Sequence, residues 1–334
     1  MTYGATILDA DGLRLTADET AFFRDADPFG FILFARNIED ADQVRALCDD
    51  FREAVGRNCP ITIDQEGGRV QRLRKPLARE WLPPLEHVQR AGAGAERAMY
   101  LRYRLIAHEL HGLGIDSNCA PIADVACADT HEFLKNRCYG EGIQTVAAIG
   151  RAVAQGHLDG GVLPVLKHIP GHGRATADSH LDLPHVASAP QTLEQSDFAA
   201  FKALNDLPLG MTAHLVYDAY DSRPATTSPV MMQLIREQIG FDGLVMTDDI
   251  SMKALQGSLT DITRDSLAAG CDVVLLCNAP LADRIAVAEA AGAMSAAAQT
   301  RAEAALAARR PPADLDIQAA EDELAALMGG QVYG

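Results

Sequence analysis

Eight short apolar runs, each bounded by Gly, Pro or Asp and separated by helix-like segments, constrain this chain more than any other feature. They cover 5–8, 30–34, 61–63, 115–120, 162–166, 210–213, 243–246 and 272–276, and β-branched residues are frequent in them. Segments 40–55, 95–113, 145–159, 193–205, 229–239 and 262–269 carry helical patterning between the runs. Runs of this kind read as strands buried on both faces, which a parallel sheet covered by helices requires. Eight of them alternating with helices predict an α/β fold, a (β/α)8 TIM-type barrel in one domain over 1–334. A doubly wound open sheet is the alternative, but no dinucleotide fingerprint follows the first run and no GxxxxGK[ST] loop occurs. C-terminal helices are expected over about 281–328, first in the Ala-, Glu- and Arg-rich stretch ended by Pro311 and Pro312, then over 315–328.

Composition narrows the class. Of 334 residues, 48% are apolar, enough for a large core without staples. The net charge of −17 argues against a nucleic-acid surface or a polybasic membrane anchor. No apolar run approaches the roughly 18 residues that span a bilayer, and no signal peptide is evident at the N-terminus. The cysteines number seven and never form a CxxC pair, so they read as reduced thiols filling the core. A cytoplasmic protein is expected. Its oligomeric state is not fixed by any of these features, and a monomer is compatible with all of them.

The runs end in polar residues: TIDQEGGRVQR, SNCAPIADV, LKHIPGHG, MTAHLVYD and VMTDDISM. In a parallel barrel those ends meet at one rim, where active sites are built. In the last segment, alternation points one of Asp248 and Asp249 inward, and an ionised inward carboxylate there can act as a nucleophile. Capping of a helix over 250–255 by Asp249 is the plain alternative. Downstream of LKH, Asp178 lies two residues before His180 and can orient it as a proton donor and acceptor. Lys167, His168, Asp64 and Arg72 are charged or hydrogen-bonding groups on strand ends, suited to a hydroxyl-rich ligand, and Arg137 can join from a longer loop. Gly67 and Gly68 suit a tight turn or close backbone approach. Alternatively, Arg69 and Arg72 form surface ion pairs with Asp64 and Glu66. The spacing of His168, His172, Asp178 and His180 fits no compact zinc pattern, and Lys167 would oppose a cation, so no metal is expected.

Taken in order, ITIDQEGGRVQRL, KHIPGHGRATADSHLDLP and GLVMTDDISMKAL resemble glycoside hydrolase family 3. The KH-x-PGHG-x5-DSH run narrows the resemblance to its single-domain bacterial β-N-acetylglucosaminidases (β-hexosaminidases) of peptidoglycan recycling. GFILFARNI, APIADV and MTAHLVYDAYD also fit, so the likeness spans nearly the whole chain. The resemblance implies a retaining mechanism through a covalent glycosyl-enzyme, with Asp248 as nucleophile, His180 as acid and base, and Asp178 as its partner. It assigns sugar binding to Asp64, Arg72, Arg137, Lys167 and His168. The Arg137 surroundings, NRCYGE, depart from the family's RSFG-like pattern, and His214 receives no role. The implied substrate is N-acetylglucosaminyl-1,4-anhydro-N-acetylmuramic acid, with or without peptide, and no cofactor is implied. Phosphorolysis in place of hydrolysis, β-glucosidase or β-xylosidase specificity, and a non-catalytic sugar-binding barrel are the rivals. The loop 171–177 is expected to move, bringing His180 into the site only in some conformations.

Overall fold

Both faces of the strands are buried, and the alternation of their side chains shows why the sequence runs are so uniformly apolar. The structure, a computed structural model, describes residues 2–175 and 183–334. Its eight barrel strands are β1 (Gly4–Leu8), β2 (Pro28–Leu33), β3 (Ile61–Ile63), β4 (Ser117–Asn118), β5 (Leu163–Ile169), β6 (Leu209–Thr212), β7 (Leu244–Asp249) and β8 (Val273–Leu275). They pair in parallel in chain order and close between β8 and β1, where Thr6 faces Val274. Ala5, Ile7, Leu163, Val165, Leu244, Met246, Val273 and Leu275 fill the barrel interior. Their neighbours Leu8, Leu166, Val245, Val274 and Leu276 point outward into the layer shared with the helices. Period-two alternation between two apolar layers is the barrel expected from the runs.

The N-terminal mouth is closed by the helix Ala296–Ala307. Its Ala298, Ala302 and Ala305 lie on one face and pack with the inward-facing barrel residues, which accounts for the alanine-rich composition. Arg301 ties this end to Asp272 at 3.0 Å, and Arg309 ties it to Asp116 at 2.9 Å. Among the described residues, no helix is long and apolar enough to cross a membrane.

Several local expectations shift. A further helix, Ala17–Ala26, stands outside the expected segments and starts at a capping box formed by Thr16 and Glu19. The stretch 193–205 divides at Ser196 into Pro190–Gln195 and Asp197–Lys202. The stretch 281–310 divides at Gly292, whose φ of 61° ends Leu281–Ala291 before Ser295 caps the next helix. No helix follows Asp249. It accepts instead from the Ser251 amide (3.0 Å), the Ser251 hydroxyl (2.7 Å) and the Cys277 amide (3.1 Å), joining β7 to the end of β8.

Candidate active site

The C-terminal ends of the strands surround a cavity of about 440 Å³ lined by Asp64, Arg72, Arg137, Lys167, His168 and Asp248, among others. Six of the eight residues singled out from the sequence therefore meet in one place. Asp178 and His180 lie outside the described residues.

Asp64 follows β3 and leads into an antiparallel hairpin, Gln65–Gly67 against Val70–Gln71. The Gln65 side chain holds this turn by accepting from the Arg72 and Leu73 amides, both at 3.0 Å. Gly67 has φ 107°, and a Cβ there would lie 1.9 Å from the Arg102 guanidinium, so the backbone approaches a buried cation as only glycine allows. The hairpin leaves Asp64 facing Arg72 at 3.0 Å and Lys167 at 2.9 Å. Desolvation favours a neutral Asp64, but the charges of Lys167 and Arg72 overcome it and hold the carboxyl well below its ordinary range.

β5 supplies Lys167 and His168 together. Adjacent strand residues normally point to opposite faces, but the register of β5 slips against β6 between Leu166 and Ile169, and both side chains reach the cavity. Lys167 is 1% exposed, and its ammonium faces Asp64 and Glu66. Burial disfavours that charge, yet the two carboxylates raise the Lys167 pKa above its usual value. Glu66, fully buried, also accepts both arms of the Arg137 guanidinium, at 2.8 and 2.9 Å. Arg137 thus joins the site from its loop despite its unusual surroundings. Glu66 is not a surface partner of Arg69, which instead lies over the Phe133 ring and donates to the Phe133 carbonyl at 3.0 Å.

Two carboxylates went unassigned in the sequence. Glu66 is one, and Asp124, in the APIADV segment, is the other. Asp124 is fully buried and accepts from His168 Nδ1 at 2.6 Å and from the His172 amide at 2.7 Å. A polar residue just past a strand run was the available signal for both.

Asp248, the next-to-last residue of β7, lines the cavity wall. Desolvation would raise its pKa, but His214, the Asp249 amide (2.8 Å) and Lys167 outweigh that and keep it low, hence ionised. Asp249 differs: burial lifts it to about 6. His214 is buried behind the pair, bonded to Thr226 Oγ1 at 2.7 Å and to the Asp249 carbonyl at 3.0 Å.

An ionised carboxylate therefore shares the barrel mouth with a cluster of cations, Arg72, Arg137 and Lys167. Comparison with known proteins decides the family, since residues 9–310 match the glycosyl hydrolase family 3 N-terminal domain. The chain belongs to glycosyl hydrolase family 3. It is a glycosidase, and its sequence falls with that family's β-hexosaminidases. The β-hexosaminidase of Vibrio cholerae is 38% identical over 281 residues, covering 82% of this chain and 83% of that protein. That of Thiobacillus denitrificans is 36% identical over 299 residues, covering 85% and 81%. NagZ from Neisseria gonorrhoeae, crystallised with N-trifluoroacetyl-D-glucosamine, superposes with a TM-score of 0.85 at 29% identity over 98% of this chain and 99% of that one. The likeness confirms the closed eight-stranded barrel with helices outside.

Proposed function

We propose that this single catalytic domain is a cytoplasmic, retaining β-N-acetylhexosaminidase that removes terminal β-linked N-acetylglucosamine from peptidoglycan fragments. Support for the hexosaminide comes from the relatives' names and from the KH-x-PGHG-x5-DSH run. Support for the compartment comes from seven cysteines that are all free thiols. The observation that carries the chemistry is Asp248, an ionised carboxylate at the wall of a cavity whose other side is built from Asp64, Arg72, Arg137, Lys167 and His168.

The proposed steps combine those cavity residues with His180 and Asp178, whose roles rest on the family resemblance. The sugar's hydroxyls bind the cationic side and Asp64, which turns the anomeric carbon toward Asp248. Asp248 attacks it while His180, held by Asp178, protonates the leaving oxygen. Neutral His180 then takes a proton from water, which attacks the glycosyl-Asp248 ester and releases the sugar with its configuration retained. Lys167, Arg72 and Arg137 are held in place by Asp64 and Glu66, so their charges need little reorganisation as charge develops.

A panel of chromogenic aryl β-glycosides in phosphate and in phosphate-free buffer tests this reading. Turnover of the N-acetylglucosaminide to free sugar in both buffers is expected. Preference for the glucoside or xyloside, or release of sugar 1-phosphate, would contradict it.

A further inference from the structure

His168 meets two groups of opposite hydrogen-bonding character. At Nδ1 stands the Asp124 carboxylate, 2.6 Å away and able only to accept. At Nε2 stands the Arg137 guanidinium, with Nη2 at 3.4 Å and able only to donate. Both neighbours are fixed. Asp124 is fully buried and its Oδ1 is committed to the backbone amides of His168 (3.3 Å) and His172 (2.7 Å). Arg137 is clamped by Glu66.

We propose that Asp124 is a positioning residue that sets the hydrogen-bond polarity of the cavity: it keeps the His168 proton on Nδ1 and presents Nε2 as an acceptor for a substrate hydroxyl. A neutral imidazole with its proton on Nε2 would turn a lone pair toward the carboxylate and an N–H toward the guanidinium. Both contacts would be repulsive. The Nδ1–H form satisfies both, and the long 3.4 Å contact to Arg137 leaves the Nε2 lone pair within reach of a better donor. The site thereby selects a ligand with O–H at this position, where Lys167 and Arg137 beside it ask for oxygen lone pairs. A ring hydroxyl placed there can then donate to His168 and accept from a cation at once. The assignment rests on the sugar-binding reading of this cavity.

Asp124→Asn separates polarity from shape. The Asn carbonyl must take the place of Oδ1, because two backbone amides point at it, and its NH2 then faces His168 Nδ1. Nδ1 becomes the acceptor and the proton moves to Nε2. Nitrogen NMR of ¹⁵N-histidine-labelled protein in alkaline buffer, assigned with His168→Gln, reads the tautomer directly. Protonated Nδ1 in the parent and unprotonated Nδ1 in the variant are expected, with kcat/KM on an aryl N-acetylglucosaminide reduced about 10- to 100-fold, mainly through KM. Unprotonated Nδ1 in the parent, or the same tautomer in both proteins, would overturn the proposal. The parent spectrum decides even if the variant does not fold. Failure of the parent to turn over any hexosaminide would sink the functional reading and leave the tautomer assignment standing.

Discussion

Glu66→Gln is the perturbation that most sharply probes how the cavity is held together. Glu66 is fully buried and is shared by Arg137 and Lys167, themselves 8% and 1% exposed. With Asp64 it balances three cations, since Arg72 also pairs there. Glutamine keeps the shape and removes the charge. In either amide orientation an NH2 group faces a cation, and Asp64 alone must then balance all three. Breaking a buried pair by removing one partner costs about 3–5 kcal/mol, because the other charge stays buried. Scaled to a chain of this length, unfolding entropy makes 1 kcal/mol worth about 1.4 °C, so Tm should fall by about 4–7 °C. Differential scanning calorimetry reads that shift, and steady-state kinetics should show KM raised as Lys167 and Arg137 lose their setting. Adding Lys167→Met should restore part of the lost stability, since the two changes share one interaction. A Tm within about a degree of the parent, together with an unchanged KM, would refute Glu66 as the shared counter-ion.

Three further outcomes follow from the same structure. Burial depresses His87, His157 and His172 to about 2, 3 and 4, so between those values and the ordinary 6.5 the folded protein binds fewer protons than the unfolded chain. Stability is therefore lost as pH falls, by about 2 kcal/mol for each histidine between pH 7 and 5, while Asp249 opposes the trend below about pH 6. Chemical denaturation of His157→Gln across that range should show a slope shallower by about 2 kcal/mol, and an unchanged slope would count against the assignment. Gly67→Ala should cost more than about 2 kcal/mol and lower activity, because the new Cβ meets Arg102 at 1.9 Å on the strand that carries Glu66. Gly56→Ala is the control: it also has positive φ (66°) but nothing within 4 Å of the added atom, and should lose only about 1 kcal/mol with activity intact.

The barrel was legible because burial on both faces leaves strands such as 162–166 and 243–246 almost no polar residues until they reach the rim. The same property exposed Asp64, Lys167, His168 and Asp248, where polarity resumes abruptly. Helix boundaries were less readable. The break at Gly292 hides in an alanine-rich stretch, and the capping box at Thr16 precedes a segment whose apolar face is short. Glu66 and Asp124 escaped for a different reason. Their partners Arg137 and His168 stand 71 and 44 positions away, so their chemistry depends on strand order, which no local pattern reports. Asp178 and His180 remain readings of sequence, outside the described residues.

The claim at the centre is that Asp248 becomes covalently bonded to the sugar. An activated N-acetylglucosaminide carrying a ring fluorine slows hydrolysis of such an ester, so intact-protein mass spectrometry after brief mixing can detect it. A single glycosyl adduct is expected, located by peptide mapping on the segment containing Asp248 and missing from Asp248→Ala. Turnover of the same sugar's aryl glycoside with no adduct, or an adduct on another residue, would contradict it.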